Sequence, residues 1–547
     1  MKLRHLIASF SRLKSVREAS QIQKVALLKE LLQLVEPRLQ QCQPRDLAEI
    51  MLACSQLGYG QVEVYHTCLY TFVCNQHHAN AQTLANMVYA VAKAPDDSIK
   101  QQWGPVLQHQ LLPVFTGKLG TAKPQEIANI IWGMATMGQQ LPAEQLQQLL
   151  PPFIDKLSIE KPQGIANVIW GVATMGQQLP AEQLQQLLAG FIGMLKKATP
   201  QGIASVIWGV ATMGQQVSSN HLRQLLGALV EKLSNALPQD VAMTMWGLAR
   251  LQPQPFFPAP LLEAKAKQAI IRMVPDMIPQ HLSNIAWACG IWGYGDEQLL
   301  LPLINTATED FFGWKGSRSR EVGAKCQGTV QGLANMCWAA AVLNMQQLVG
   351  HVEQFAAAIS RRWGDTVAEE MRQLYQVHTW LQDLDNNSRG LLGCLSKQQL
   401  HQCKEQWQKG IDEVSASAKT STAHQAVFEA AAELPLFRDP PQLEALTEDR
   451  LHSIDVRVVT TAGVEVAIEV DGPQHFRKPD QQPTGTTQWR NRSLAARGYV
   501  VVSVPIREWI RLPAAKRVGF LEGKIQQGLA KASGGVVPDV GAAAPAS

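Results

Sequence analysis

Residues 162–176 read PQGIANVIWGVATMG and residues 200–214 read PQGIASVIWGVATMG, near copies whose starts lie 38 residues apart. PQEIANIIWGMATMG from Pro124 precedes them by the same interval, and PQDVAMTMWGLARL from Pro238 follows by it. Weaker copies begin at Pro279 (PQHLSNIAWACG) and Val330 (VQGLANMCWAAA). Upstream, PRDLAEIMLACSQLG from Pro44 and AQTLANMVYAVAKA from Ala81 keep the pattern without the Trp, which makes eight candidate units. Self-similarity at such a period marks a repeat architecture.

Each unit reads as two helices. In the one starting at Pro162, the proline occupies the first turn, where its missing N–H costs no hydrogen bond. Ile165, Ala166, Ile169, Trp170 and Ala173 share one helical face, and Gly176 supplies the stop. A second helix from about Pro180 carries Leu184, Leu187, Leu188, Phe191, Ile192 and Leu195. One hairpin cannot bury its own apolar face, but stacked neighbours can, so an α-solenoid is expected. Ala166 and Gly171 allow close helix approach. The ladder Trp132, Trp170, Trp208, Trp246, Trp287 and Trp338 is expected as core packing at equivalent sites, with base stacking as the alternative.

The remaining positions carry the functional signal. Counted from Pro162, Gln163, Asn167 and Thr174 fall at about 100°, 140° and 120° on the helical wheel, a narrow polar stripe beside the apolar face. The stripe recurs as Gln125, Asn129 and Thr136, as Gln201, Ser205 and Thr212, and as Gln239, Met243 and Arg250. Gln280 with Asn284, and Gln331 with Asn335, continue it. Solvated helix faces normally carry Glu and Lys, whereas amides and hydroxyls are uncharged donors and acceptors that suit base edges. One such set per repeat, in line, is how helical repeats read single-stranded RNA base by base.

Composition bounds the alternatives. Hydrophobic residues are 46% of the 547, ample for cores, and charged residues are 17%. With 49 Lys and Arg against 45 Asp and Glu, the net charge of +4 excludes a polybasic nucleic-acid binder. No long apolar run occurs, so membrane insertion is not expected. The nine Cys are odd in number and form no CxxC pair, which fits reduced thiols. Cys68, Cys74, His77 and His78 match no standard zinc spacing and read as ordinary helix residues. The first acid is Glu18, after Lys2, Arg4, Arg12, Lys14 and Arg17, so residues 1–22 have the composition of an organelle transit peptide. An insert after Phe311 holds Lys315, Arg318 and Arg320, a phosphate-contacting loop by composition.

The C-terminal part changes character. HSIDVRVV (452–459) and VEVAIEVDG (464–472) alternate apolar and polar residues, as a β-hairpin does. A helix from Trp489 to Arg497 stopped by Gly498 and a strand YVVVSVPI (499–506) follow. The expected architecture is mainly α: an α-solenoid of helical hairpin repeats, then a small α/β restriction-endonuclease-like domain. The divisions are residues 1–22, repeats at 23–345, non-repetitive helices at 346–440, the α/β block at 441–512, and a helix with a disordered tail at 513–547.

Two resemblances follow from these residues. The 38-residue hairpin with its PQ…A…W core resembles the octotricopeptide repeat proteins over roughly residues 40–345. The C-terminal block resembles the RAP domain, found also in the FAST-kinase-domain family. The residues that carry it are Ile454–Asp455, Ile468 to Pro473 with His475–Phe476, Arg490, Leu494, Gly498–Tyr499, Val504–Pro505 and Glu508–Trp509. The resemblances imply a nucleus-encoded chloroplast or mitochondrial factor. Its partner would be single-stranded organelle RNA, within ribonucleoprotein complexes, and its work RNA processing, stability or translation, with no cofactor needed for binding.

The block also raises a catalytic alternative. Asp455, Glu469 and Asp471 can share one face of the hairpin, with His475 as acid or phosphate contact. Asp455 and Glu469 would then be the ligands of a Mg²⁺ site in an endoribonuclease. Asp471 stands where such nucleases usually carry Lys, so Arg490 or Arg492 would have to steady the phosphate. A protein-binding solenoid scaffold is a further alternative, but it leaves both the stripe and the C-terminal block unexplained. Kinase chemistry finds no GxGxxG, HRD or DFG motif.

Overall fold

The computed structural model describes residues 3–16, 20–312, 328–385, 388–417 and 422–533. Lys315, Arg318, Arg320 and the tail 534–547 lie outside the described residues. The chain divides into two units, residues 1–247 and 248–547, with the division falling inside helix Pro238–Arg250.

The first unit is built from the repeats. Helices Leu3–Ser15 and Gln21–Val35 come first, the former burying Leu6, Ile7, Phe10 and Leu13 and packing on helix Pro44–Gln56. Each later repeat opens with a helix stacked on its predecessor: Pro44–Gln56, Ala81–Ala92, Pro124–Thr136, Pro162–Thr174 and Pro200–Thr212. The return helices include Ala143–Ile154, Ala181–Gly193 and Ser219–Glu231. Gly138, Gly176 and Gly214 take left-handed φ values of +71°, +69° and +66° at the stops. There the Gly176 and Gln177 N–H groups donate to the Ala173 and Val172 carbonyls, closing the helix end.

The four repeats starting at Pro124, Pro162, Pro200 and Pro238 each meet their predecessor at a glycine, Gly133, Gly171, Gly209 and Gly247. A Cβ on Gly171 would lie 2.9 Å from Ile131 Cγ2, and one on Gly209 only 2.8 Å from Ile169 Cγ2. The side-chain amides of Gln177 and Gln215 donate to the Leu141 and Leu179 carbonyls of the preceding repeat. Ile165, Ala166, Ile169 and Ala173 are buried as expected.

The Trp ladder departs from expectation. Trp132, Trp170, Trp208, Trp246 and Trp287 are half-buried, and of the six only Trp338 is buried, at 4% exposure. The reason lies on the wheel. Eight residues after the opening proline is about 80°, between the apolar face and the polar stripe.

In the second unit the hairpins continue as Pro279–Trp292 with Glu297–Phe312, then Val330–Val342 with Val349–Arg361. They do not stop at 345. Helix Ala368–Leu384 starts 38 residues after Val330, stacks on Val330–Val342, and is followed by Lys397–Ser417. Gln373 donates to Asn335 at 3.0 Å, and the Trp338 indole N–H to Gln376 at 2.6 Å, both across 38 residues. This repeat escaped the sequence reading because Gln376 replaces the tryptophan and Ala368–Glu369 the Pro–Gln pair.

The α/β domain carries one four-stranded sheet: β1 (Gln442–Leu446), β2 (Ser453–Val459), β3 (Glu465–Asp471) and β4 (Val500–Pro505), in that order. Pairing is antiparallel except for the parallel β3–β4 pair. The expected hairpin is β2–β3. Strand β1 was not expected, since QLEAL holds no β-branched residue and only pairs at the sheet edge.

Val427 and Ala431 of helix Thr422–Ala432, with Leu521 and Ile525 of helix Ala514–Ala532, pack with Val456, Ile468 and Val504. Leu494 of helix Gly485–Ala496 packs with Ile454 and Ala467. The domain therefore spans both flanking helices, beyond the 441–512 read from sequence.

The glycine contacts are testable. Gly209→Ala should destabilise by about 1–3 kcal/mol in urea unfolding, because Ile169 must shift. Gly227→Ala, on an exposed helix surface with nothing within 4 Å, should be neutral or stabilise by up to about 1 kcal/mol. Equal effects at the two sites would remove the close-approach account.

Candidate functional site

A groove of about 670 Å³ runs along the first unit. Its lining repeats: Gln125, Asn129 and Trp132; then Gln163, Asn167 and Trp170; then Gln201 and Ser205; then Gln239 and Met243. Asn86, Tyr89 and Lys93 extend it upstream. In each repeat the Gln is exposed and the Asn, Ser or Met half-buried, since four residues place them one turn apart on the same face. Gln163 donates to Asn167 at 2.9 Å, so the amides are held side by side.

The threonines of the stripe behave differently. Thr136 lines the groove, but its hydroxyl donates to the Trp132 carbonyl of its own helix at 2.8 Å. Thr174 is exposed outside the lining, and the Thr212 hydroxyl is buried. The few charges at the groove are Lys93, Lys161 and Glu160. Burial pushes the Glu160 carboxyl up, against the pull of the Lys161 N–H that it accepts at 2.8 Å.

In the second unit, Gln280, Ser283, Asn284, Gln331 and Asn335 line a pocket of about 270 Å³. Asn335 is buried and accepts from Gln373, so it is a packing residue more than a surface reader. Arg250 is exposed at the end of its helix.

The acids of the α/β domain do converge. Asp455 on β2 accepts the Val470 N–H of β3 at 2.7 Å. Glu469 is 3% exposed, with one carboxylate oxygen 2.5 Å from the Arg490 guanidinium. Arg490 also donates to the Ser453 carbonyl. Burial pushes the Glu469 carboxyl up to about 8, opposed by Arg490 and reinforced by the neighbouring Asp455. Asp471 is likewise raised by burial, accepts the Ser503 hydroxyl, and lies 3.5 Å from His475 Nδ1. Burial in turn lowers the His475 imidazole, whose Nδ1 is also 3.2 Å from the Thr487 hydroxyl.

These groups do not fit Mg²⁺ at Asp455 and Glu469. The ion demands near-octahedral oxygen ligands at about 2.0–2.1 Å. Here the cation beside Glu469 is a guanidinium, reaching in from helix Gly485–Ala496. Among the described residues, the metal-ligand atoms that gather within 4.8 Å belong instead to His424, Glu444 and Asp455. His424 Nδ1 lies 2.9 Å from Glu444 and 3.9 Å from Asp455. Sequence reasoning missed this trio because Glu444 sits on the unexpected strand. Cys68, Cys74, His77 and His78 form no such group among the described residues.

Three further arginines act on helix ends. Arg477 donates to the Trp292 carbonyl at 2.5 Å, Arg492 to the Ala341 and Val342 carbonyls, and Arg497 pairs with Asp383 at 3.1 Å. These acceptors close three successive repeat helices, where a cation complements the helix dipole. Arg492, expected near a phosphate, is thereby committed to backbone carbonyls. Gly485 belongs to the same contact, since a Cβ there would run into the Gly290 carbonyl oxygen.

A family model described as the RAP domain matches residues 468–523. The match runs from β3 into helix Ala514–Ala532. Among solved structures, the crystal structure of human Puf-A is 11% identical, covering 76% of this chain and 97% of that one, with a TM-score of 0.19. A circular tandem repeat protein with novel repeat topology is 13% identical, covering 78% and 89%, with a TM-score of 0.14.

The raised Glu469 carboxyl predicts a pH signature. A group whose folded pKa exceeds its unfolded value of about 4.5 contributes stability that is complete below that value and lost as pH rises towards about 8. The slope is at most about 1.4 kcal/mol per pH unit. Glu469→Gln mimics the protonated acid, so its stability relative to the parent should climb across this window in unfolding curves taken at several pH values. A Gln variant that instead weakens relative to the parent as pH rises would show an ionised Glu469.

Proposed function

We propose that this protein binds single-stranded RNA along the groove of its repeats. The observation that carries the reading is one uncharged amide set per repeat, facing the same groove in register. Neutral donors and acceptors on a helix face are suited to base edges and poor at recognising charged protein surfaces. The scaffold alternative offers no reason for that chemistry to recur every 38 residues.

On this reading the repeats are of the octotricopeptide type, and the C-terminal domain is a RAP domain related to that of the FAST-kinase-domain family. Its restriction-endonuclease-like core is retained for binding RNA. The protein acts in chloroplast or mitochondrial RNA processing, stability or translation, within ribonucleoprotein complexes. The basic, acid-poor segment before Glu18 supports an organelle address.

The test uses RNA selected by the purified protein, with Asn129→Ala and Asn167→Ala combined. The site is expected to span roughly eight nucleotides at about one base per repeat. The double variant should change sequence preference more than total affinity. Equal binding of selected and scrambled RNA by parent and variant would contradict the reading. The same RNA with Mg²⁺ or Mn²⁺ should stay intact. Cleavage lost in an Asp455→Ala/Glu469→Ala variant would establish a nuclease instead.

A further inference from the structure

The half-buried tryptophans need a reason. This chain buries indoles completely where packing is their work: Trp292 is 0% exposed, and Trp338, at the same place in its repeat, is 4% exposed. Leaving one indole per repeat half in water forgoes about 25 cal/mol for every Å² of apolar surface left wet. The neighbouring Ile165, Ile169, Ile203 and Ile207 already fill the space between helices at 0–2% exposure. Trp132 and Trp170 instead line the groove, one turn from Asn129 and Asn167.

The rings are also in register. Trp170 and Trp208 have centroids 6.3 Å apart with planes 32° from parallel, and Trp208 and Trp246 repeat the spacing at 6.3 Å and 28°. Tyr89 joins the row 5.3 Å from Trp132.

We propose that Trp132, Trp170, Trp208 and Trp246 form a stacking rail for the bases of the strand, an inference that rests on the groove binding RNA. Stacked bases in a helix advance by about 3.4 Å per nucleotide. A 6.3 Å ring spacing is nearly twice that, so a continuously stacked strand could place only every second base at a ring, and one base per ring requires the strand to be stretched. A strand with its bases parted meets one ring per base. A duplex keeps its base faces covered and has none to offer. The rail therefore selects an extended single strand, supplies sequence-independent affinity, and delivers each base edge to the adjacent Gln and, beside Trp132 and Trp170, to Asn.

The probe is a random-sequence single-stranded RNA of about ten nucleotides, with an abasic oligomer of equal length. Anisotropy titrations compare the parent, Trp170→Leu/Trp208→Leu, Trp170→Phe/Trp208→Phe and the Asn129/Asn167 double variant. Circular dichroism checks that each is folded. The Leu pair should bind about ten-fold more weakly per ring removed, and the Phe pair within a few-fold of the parent. The parent should bind the abasic oligomer more weakly than the Leu pair binds RNA, since that pair keeps Trp132 and Trp246, and RNA should quench the parent's tryptophan fluorescence. If the Leu pair binds like the parent while the Asn pair changes sequence preference, the rail is overturned and the groove reading stands. If the parent binds no RNA, both fall.

Discussion

The register of the groove depends on close glycine contacts between its successive central repeats. Gly171 against Ile131, Gly209 against Ile169 and Gly247 against Ile207 let successive helices approach until backbone nearly meets side chain. Only a residue without a Cβ allows that distance. The contact fixes the spacing of the indoles, and it places each Gln and Asn beside its counterpart. A looser stack would keep the apolar core and lose the register. Proteins that read a strand base by base need a fixed pitch more than they need extra stability.

A different economy governs the second unit. The α/β domain has four arginines that face inward, and each is matched to an acceptor already in the fold. Arg490 sits among Glu469 and the Ser453 carbonyl, while Arg477, Arg492 and Arg497 reach the ends of repeat helices. Half-buried cations of this kind are costly unless paired and hydrogen-bonded. Their matched placement ties helix Gly485–Ala496 to the repeats beneath it. The acids that resemble a metal site are, in this arrangement, gathered around an arginine, with Glu469 in direct contact with it.

Much of this was legible in the residues. The repeat period, the paired helices, the glycine stops and the β2–β3 hairpin follow from local pattern. The stripe followed too, because a helix carries side chains to predictable angles. What failed did so for physical reasons. Trp170 is apolar and so reads as part of the apolar face, although its wheel angle puts it at the groove edge. The repeat from Ala368 lost its signature residues while keeping its spacing and its contacts. Strand β1 is held by its partner and not by its own propensity. The trio of His424, Glu444 and Asp455 comes from three successive elements, a helix and two strands, and is joined only by their packing, which no local spacing reveals.

The most direct test of a strand held at fixed pitch is to remove one repeat. Deleting residues 162–199 takes out one 38-residue unit and leaves Gly209 to face Ile131, as Gly171 does in the intact chain. The measurement is the shortest RNA that binds with full affinity, determined for both proteins with a ladder of oligonucleotide lengths. The account predicts that this length falls by about one nucleotide while the shortened protein remains folded. An unchanged minimal length in a folded protein would contradict it.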